Sequence, residues 1–136
     1  MKSRRIAGIV YAATTAIVVA FQIALAFGVP WGSFAMGGAF PGQLPPALRV
    51  SAIIQAAILL AFAGIVLARS GLALRRWARA SRWFVWVVVS FSAVSLVLNL
   101  ITPSAGERII WAPVALTLLV SGVLVATAPT VPNTAA

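Results

Sequence analysis

The chain alternates long uncharged stretches with short clusters of charge, and this pattern sets the elements. Residues 6–28, 50–68, 83–106 and 109–127 contain no Lys, Arg, Asp or Glu. Each approaches the roughly 20 apolar residues that an α-helix needs to cross a bilayer. The spacing predicts four transmembrane helices over about 6–28, 46–68, 83–102 and 109–127. Ala24-Leu25-Ala26 resembles a signal-peptide cleavage site. The run before it outlasts the roughly 7–15 residues of a signal h-region, so a retained first span is expected.

The connections carry their own signals. Loop 29–48 holds Pro30, Gly32, Gly37-Gly38, Pro41-Gly42 and Pro45-Pro46, which forbid a regular helix across it. It also holds Trp31, Phe34 and Phe40 and no charge, so it is expected to cover the mouth of the bundle or lie at the membrane interface. Its Gly37-Gly38 pair is read as a turn, or as a site where backbone N–H groups meet an anion. Pro45-Pro46 suits a helix start, where the missing N–H would have no partner anyway. Residues 70–82 place Arg75, Arg76, Arg79 and Arg82 on one side of a helical projection, opposite Trp77, Ala80 and Phe84. That arrangement predicts a short interfacial helix whose arginines touch lipid headgroups. Residues 128–136 form an uncharged Pro/Thr/Asn tail, expected to be disordered.

Small residues recur at helical spacing: Gly8, Ala12, Ala16, Ala20 and Ala24 in the first span, and Ala57, Ala61, Gly64 and Ala68 in the second. The fourth span has Ala115, Gly122 and Ala126. Such positions let helix backbones approach closely in lipid, so the stripes are expected at interhelical contacts. Polar groups inside the spans are few. Gln22 should prefer the bundle interior, Gln55 lies one turn after Ser51, and Ser92, Ser95 and Asn99 share one face.

Composition confirms the class: 62% of the 136 residues are hydrophobic, 8% are charged, and mean hydropathy is +1.10. A soluble domain has about 45–50% apolar and about 25% charged residues. The net charge of +9 arises from nine Arg, one Lys and one Glu. These positives flank apolar runs, which is a topology signal and not a nucleic-acid surface. Segments 1–5 and 69–82 carry three and five of them, against Arg49 and Arg108 on the other side. The positive-inside rule then places both termini and the basic loop in the cytoplasm of a plasma (inner) membrane. The expected fold class is an all-α membrane protein, a single domain of four transmembrane helices in an up-down-up-down bundle.

With no Cys, no His and a single carboxylate, disulfides, thiolate chemistry and the common metal sites are excluded within one chain, and no cofactor is expected. The chemistry that remains gathers at the extracytoplasmic mouth. Arg49, Asn99, Glu107, Arg108, Trp31 and Trp111 all fall there by topology and form the candidate ligand-binding cluster. Ser104-Ala105-Gly106-Glu107 fits a capping box for the fourth helix. Pro113 argues against a helix that starts so early, because it lies about two turns in. In that case Glu107-Arg108 would sit in a turn. An ion pair between Glu107 and Arg49 or Arg108 is the other structural expectation.

The Pro-Ser-x-x-Glu-Arg-x-x-Trp-x-Pro turn at 103–113 and Pro-Gly-x-Leu-Pro-Pro-x-x-Arg at 41–49 resemble segments of uncharacterised small four-helix bacterial integral membrane proteins. That resemblance implies a fold and no activity. Small multidrug exporters require a carboxylate in mid-span one, which is missing here, and the glycine pattern of fluoride channels is not matched.

Three functions fit. The first is a non-enzymatic protein that binds a lipid or apolar small molecule at the mouth, or that serves as a subunit of a larger membrane assembly or homo-oligomer. The second is a small proton-coupled transporter that uses Glu107. The third is a membrane isomerase or lipid-modifying enzyme, with Glu107 as acid/base and Arg49 and Arg108 as electrostatic stabilisers. The third has the thinnest inventory, a single carboxylate without His, Cys or Asp. The topology has a direct check. Single cysteines at Ala73 and Gly106 are expected to react with an impermeant thiol reagent from opposite sides of the membrane, and labelling of both from outside would reverse the orientation.

Overall fold

The computed structural model describes residues 2–129. It is all-helical, with α1 (Lys2–Ala26), α2 (Pro46–Ser70), α3 (Ala78–Ile101) and α4 (Ala105–Thr127). All four are long and apolar enough to cross a membrane. At about 1.5 Å per residue, each exceeds the roughly 30 Å of a hydrocarbon core. The chain is thus a multi-pass membrane protein.

Local sequence chemistry sets the helix ends. After α1, Gly28 adopts φ +91 while its N–H meets the Leu25 carbonyl and the Val29 N–H meets that of Ala24. This is a Schellman stop, which needs a residue that tolerates the left-handed region. Gly71 ends α2 in the same way, with φ +74 and a bond from Leu72 N–H to the Leu67 carbonyl. Pro46 opens α2, as its missing N–H suggests. Thr102-Pro103 ends α3, because a residue before proline leaves the helical region.

Two expected boundaries move. The basic stretch is not a separate interfacial helix. A 3-10 turn at Arg75–Trp77 runs straight into α3 at Ala78, because no Gly or Pro interrupts residues 75–83. Likewise α4 starts at Ala105 and not near residue 109, and it continues through Pro113. Of the expected tail, Ala128 and Pro129 accept hydrogen bonds from Arg69 and Arg4, while residues 130–136 lie outside the described part.

α1 packs on α2 and α4, and α3 packs mainly on α4, while α2 and α3 meet less closely. Near Arg69 the core is dense: Tyr11, Val66, Val85, Val88 and Val125 are buried together. Small clusters continue toward Glu107, through Val19, Ala56 and Leu59 to Leu25, Leu44 and Ala52.

The small-residue stripes divide. Ala115, Gly122 and Ala126 are buried, as expected. Ala16, Ala20, Ala57 and Ala61 are exposed while Gly8 and Ala68 are buried, so the stripes of α1 and α2 are contact faces only in part. The reason is geometric. Each i+4 step advances about 40° around the helix, so the five positions in α1 drift through about 160° and cannot share a face. The contact faces are Ala7, Gly8, Tyr11, Thr15 and Val19 on α1, and Ala52, Ala56, Leu59, Ala63 and Val66 on α2.

α1 and α2 approach closely at Gly8, where an added methyl would lie 2.5 Å from Ser70 Oγ and 2.7 Å from Ser70 Cβ. Gly8→Leu is therefore expected to destabilise the bundle by about 1–3 kcal/mol through overpacking. Ala16→Leu, on an exposed face, should stay within about 0.5 kcal/mol. Thermal unfolding in detergent separates them, and equal stability for the two variants would refute the packing assignment.

Candidate functional site

The site is built on the first two turns of α4. Ser104 is the N-cap, and its Oγ accepts from the Glu107 N–H at 3.2 Å. The capping box is only half formed, because the Glu107 side chain does not return to the cap. Glu107 Oε2 instead accepts from the Gly37 N–H at 2.8 Å and from Thr102 Oγ1 at 2.9 Å. The anion presented to the Gly37-Gly38 turn is thus the protein's own carboxylate. Delivering that N–H needs an unusual backbone: Met36, Gly37 and Gly38 all have positive φ, at 51, 70 and 73. Two of the three are glycines that accept this conformation readily, while Met36 carries strain.

Residues 104, 107 and 111 recur at i, i+3 and i+7, so one face of α4 meets the long loop. Ser104 Oγ donates to the Ser33 carbonyl at 2.9 Å, and Trp111 Nε1 donates to the Phe34 carbonyl at 2.8 Å. The Phe34 ring lies on Gly106, where an added Cβ would sit 2.8 Å from it. Ala105, which is exposed, is for that reason a better cysteine-labelling position than Gly106. The loop that the sequence left as mouth-covering or interfacial is folded over this end of the bundle.

Under the loop lies a cavity of about 370 Å³. Its roof includes Phe34, Met36 and Glu107, and its floor reaches Tyr11 and Leu118. The walls are mostly apolar, with Gln22, Gln55, Ser95 and Asn99 as polar interruptions. Gln22 Nε2 donates to Gln55 Oε1 at 2.9 Å, and Asn99 Nδ2 donates to the Ser95 carbonyl at 2.8 Å. Gln55, Ile58 and Phe91 are lining residues that remain exposed. They lie on α2 and α3, the loosely packed pair, so the cavity opens sideways between these helices. Toward the other end, an edge contact between Phe62 and Phe91 at 5.0 Å and the buried valines close it. A shallower apolar groove of about 490 Å³ lies on the far side of Phe21, Phe34 and Trp111, between α1 and α4.

Of the candidate cluster, Asn99, Glu107 and Trp111 converge on the cavity. Arg49, Arg108 and Trp31 do not. Arg49 donates through Nε to the Leu44 carbonyl at 2.8 Å and through Nη2 to Gln43 at 3.1 Å. Its guanidinium also lies over Gly28, beside the negative end of the α1 dipole. Arg108 is exposed and donates to the Thr102 carbonyl at 2.6 Å. The expected ion pair is therefore not made, as each arginine is held by a nearby carbonyl. Trp31 is 45% exposed and stacks on Phe21 at 6.1 Å, lining the shallow groove.

Arg75, Arg76, Arg79 and Arg82 are all exposed, and the guanidinium groups of Arg76 and Arg82 lie over the Trp77 and Trp83 rings. Sequence reasoning missed Tyr11 and the Gln22–Gln55 pair as site residues. Their signal was present, since amides are rare within spans and seek partners. Among the described residues no three His, Cys, Asp or Glu gather to hold a metal.

Comparison with known protein families, curated proteins and solved structures finds no match to this chain. The functional reading therefore rests on geometry.

Glu107→Ala would leave the Gly37 N–H without its acceptor, and an expected loss of about 2–3 kcal/mol follows for a charge-assisted bond. Ser104→Ala removes a cap and the Ser33 contact together, and about 1–2 kcal/mol should be lost. Because both act on one loop, the double variant should lose less than the two losses added. Chemical unfolding in micelles measures all three, and a Glu107→Ala protein of wild-type stability would remove the latch.

Proposed function

We propose that this protein is a non-enzymatic binder of a small amphiphile, a lipid or apolar small molecule, held in the cavity beneath the 29–48 loop. The observation that carries the reading is the cavity itself, apolar in most of its lining and open toward the membrane between α2 and α3. Its volume lies within the roughly 300–1,000 Å³ range of ligand pockets, and a few placed polar groups in an apolar wall are what orient a ligand. Asn99, Glu107 and Trp111 are the residues carried forward from the sequence as ligand contacts, joined by Gln22 and Gln55. Glu107 has one carboxylate oxygen engaged, and Oε1 has no protein partner among the described residues. Oε1 is thus available to a ligand hydroxyl or amine.

The transporter and enzyme readings have less support. A carrier needs a route to the far side, and the half of the bundle around Val66, Val85, Val88 and Val125 is tightly filled. The enzyme reading relies on Arg49 and Arg108 as electrostatic stabilisers beside Glu107, and neither of them lines the cavity. In the proposed orientation the bundle runs up-down-up-down in the plasma membrane, with both termini cytoplasmic. The eight positive charges at residues 1–5 and 69–82 support it. Exposed Arg75, Arg76, Arg79 and Arg82 then face the headgroups of the inner leaflet.

Ser95, half-buried on the cavity wall, offers a test. Native mass spectrometry of protein released from phosphatidylcholine nanodiscs, which lack an anionic lipid, should find one retained amphiphile on the wild type. Ser95→Phe should fill the space and weaken retention by about tenfold or more, a loss of about 1.4 kcal/mol, while the melting temperature is kept. Equal retention by both proteins would place the molecule elsewhere and refute the proposal.

A further inference from the structure

At the end of the bundle opposite Glu107, Arg69 is 8% exposed on the last turn of α2. Its Nη2 donates to the carbonyls of Ala126 at 3.4 Å and Ala128 at 2.9 Å. Arg4, half-buried on α1, donates through Nη1 to the Pro129 carbonyl at 3.2 Å. Two guanidinium groups from different helices thus converge on the C-terminal end of α4. The Ala126 carbonyl belongs to the negative end of the helix dipole, and together with those of Ala128 and Pro129 it satisfies one nitrogen of each arginine. The rest is uncompensated. Nε of Arg4 and Nε of Arg69 are both buried with no hydrogen-bond partner. Arg82 also bears on Arg69 electrostatically, as a third cation. The only carboxylate side chain in the protein is at the other end of the bundle.

Cations that are drawn out of water and crowded together are costly unless a counter-charge meets them. This chain has no side chain that can supply one. We infer that Arg4, Arg69 and Arg82 form a binding site for one phosphate group, carried by a lipid headgroup or free in solution. The planar guanidinium fork matches phosphate oxygens with paired N–H donors, where a lone ammonium offers only a point charge. Arg69 Nη1 and Arg4 Nη2 have no protein partner among the described residues, and exposed Arg82 leaves the cluster open at the end of the bundle. The arginines sit where helices end, at the depth of a phospholipid headgroup, so a lipid phosphate is the favoured source. This site is separate from the cavity and does not depend on it.

The test uses the full-length protein in neutral detergent, with melting temperature and native mass spectrometry as readouts. Dioleoyl phosphatidylglycerol is titrated against dioleoyl phosphatidylcholine, and inorganic phosphate against chloride at equal ionic strength. Wild type should retain one phosphatidylglycerol in preference to phosphatidylcholine and melt higher when it is bound. Arg4→Gln should weaken that binding by about tenfold or more, the scale of one lost charge-assisted hydrogen bond. Arg69→Lys keeps the charge and loses the fork, so it should also bind weakly while remaining folded. Arg5→Gln removes the same charge from an exposed neighbour and should bind as wild type does. Stabilisation by inorganic phosphate alone, lost in Arg4→Gln, would support the site and assign it to soluble phosphate. Equal weakening by Arg4→Gln and Arg5→Gln would reduce the cluster to diffuse surface charge and overturn the inference. Absence of any preference for phosphatidylglycerol or phosphate would overturn it as well.

Discussion

The carboxylate of Glu107 is the constraint on which one whole end of the molecule depends. It is a lone anion in an apolar setting, and such a group is tolerated only when donors surround it. Three features supply that condition: the Gly37 N–H, the Thr102 hydroxyl, and the positive end of α4, which begins two residues earlier at Ala105. The same bonds solve the problem of the loop. A stretch with little regular structure has backbone groups to satisfy, and Ser104, Glu107 and Trp111 satisfy three of them from one helix face. The loop is therefore held as a roof, and the cavity exists because the roof is fastened at its edge and not packed into the bundle.

Arg49 secures the other side of that roof. By contacting Leu44, Gln43 and the end of α1 at Gly28, it ties the return limb of the loop to the helix that launched it. Leu44, almost fully buried against Leu25 and Ala52, supplies the apolar anchor beside it. Charge thus organises this end without a single ion pair to Glu107. Each charged group is matched to backbone dipoles, which lose less on desolvation than a second mobile charge would.

Much of this was legible in the residues. Uncharged runs located the four spans and Pro45-Pro46 located the start of α2, while Ser104 was only one alternative for the start of α4, set against a start near residue 109. What was misread shares a cause: periodicity fixes a helix but not its rotation about its own axis. An Ala-rich helix offers small residues on every face, so the stripes of α1 and α2 marked buried contacts at Gly8 and Ala68 and missed them at Ala16, Ala20, Ala57 and Ala61. The polar residues were the better compass. Gln22, Gln55, Ser95 and Asn99 all face the cavity, because amides and hydroxyls in lipid must find partners, whereas alanine is indifferent. Topology likewise brought Arg49, Arg108 and Glu107 to the same end. It did not show that each arginine would settle on a carbonyl nearer in the chain. Arg69 was counted only among the topology charges, since its partners lie 57 and 59 residues away.

The two halves of the bundle follow different packing rules, and the difference itself argues for function. Beyond Tyr11, Val66, Val85, Val88, Val125 and Ala126 are buried together, the arrangement that dispersion favours where lipid removes the hydrophobic drive. Closer to Glu107 the same four helices enclose a void and place two glutamines at its edge, bonded to each other and still exposed. Filling that void with leucine and replacing both amides would raise stability, because cavities and lipid-facing polar groups each lose contacts. A bundle able to pack one half this well has no structural need to leave the other hollow. Hollowness with polar groups at its edge is a local departure from the rule the rest of the chain obeys, and such departures concentrate where proteins bind their ligands.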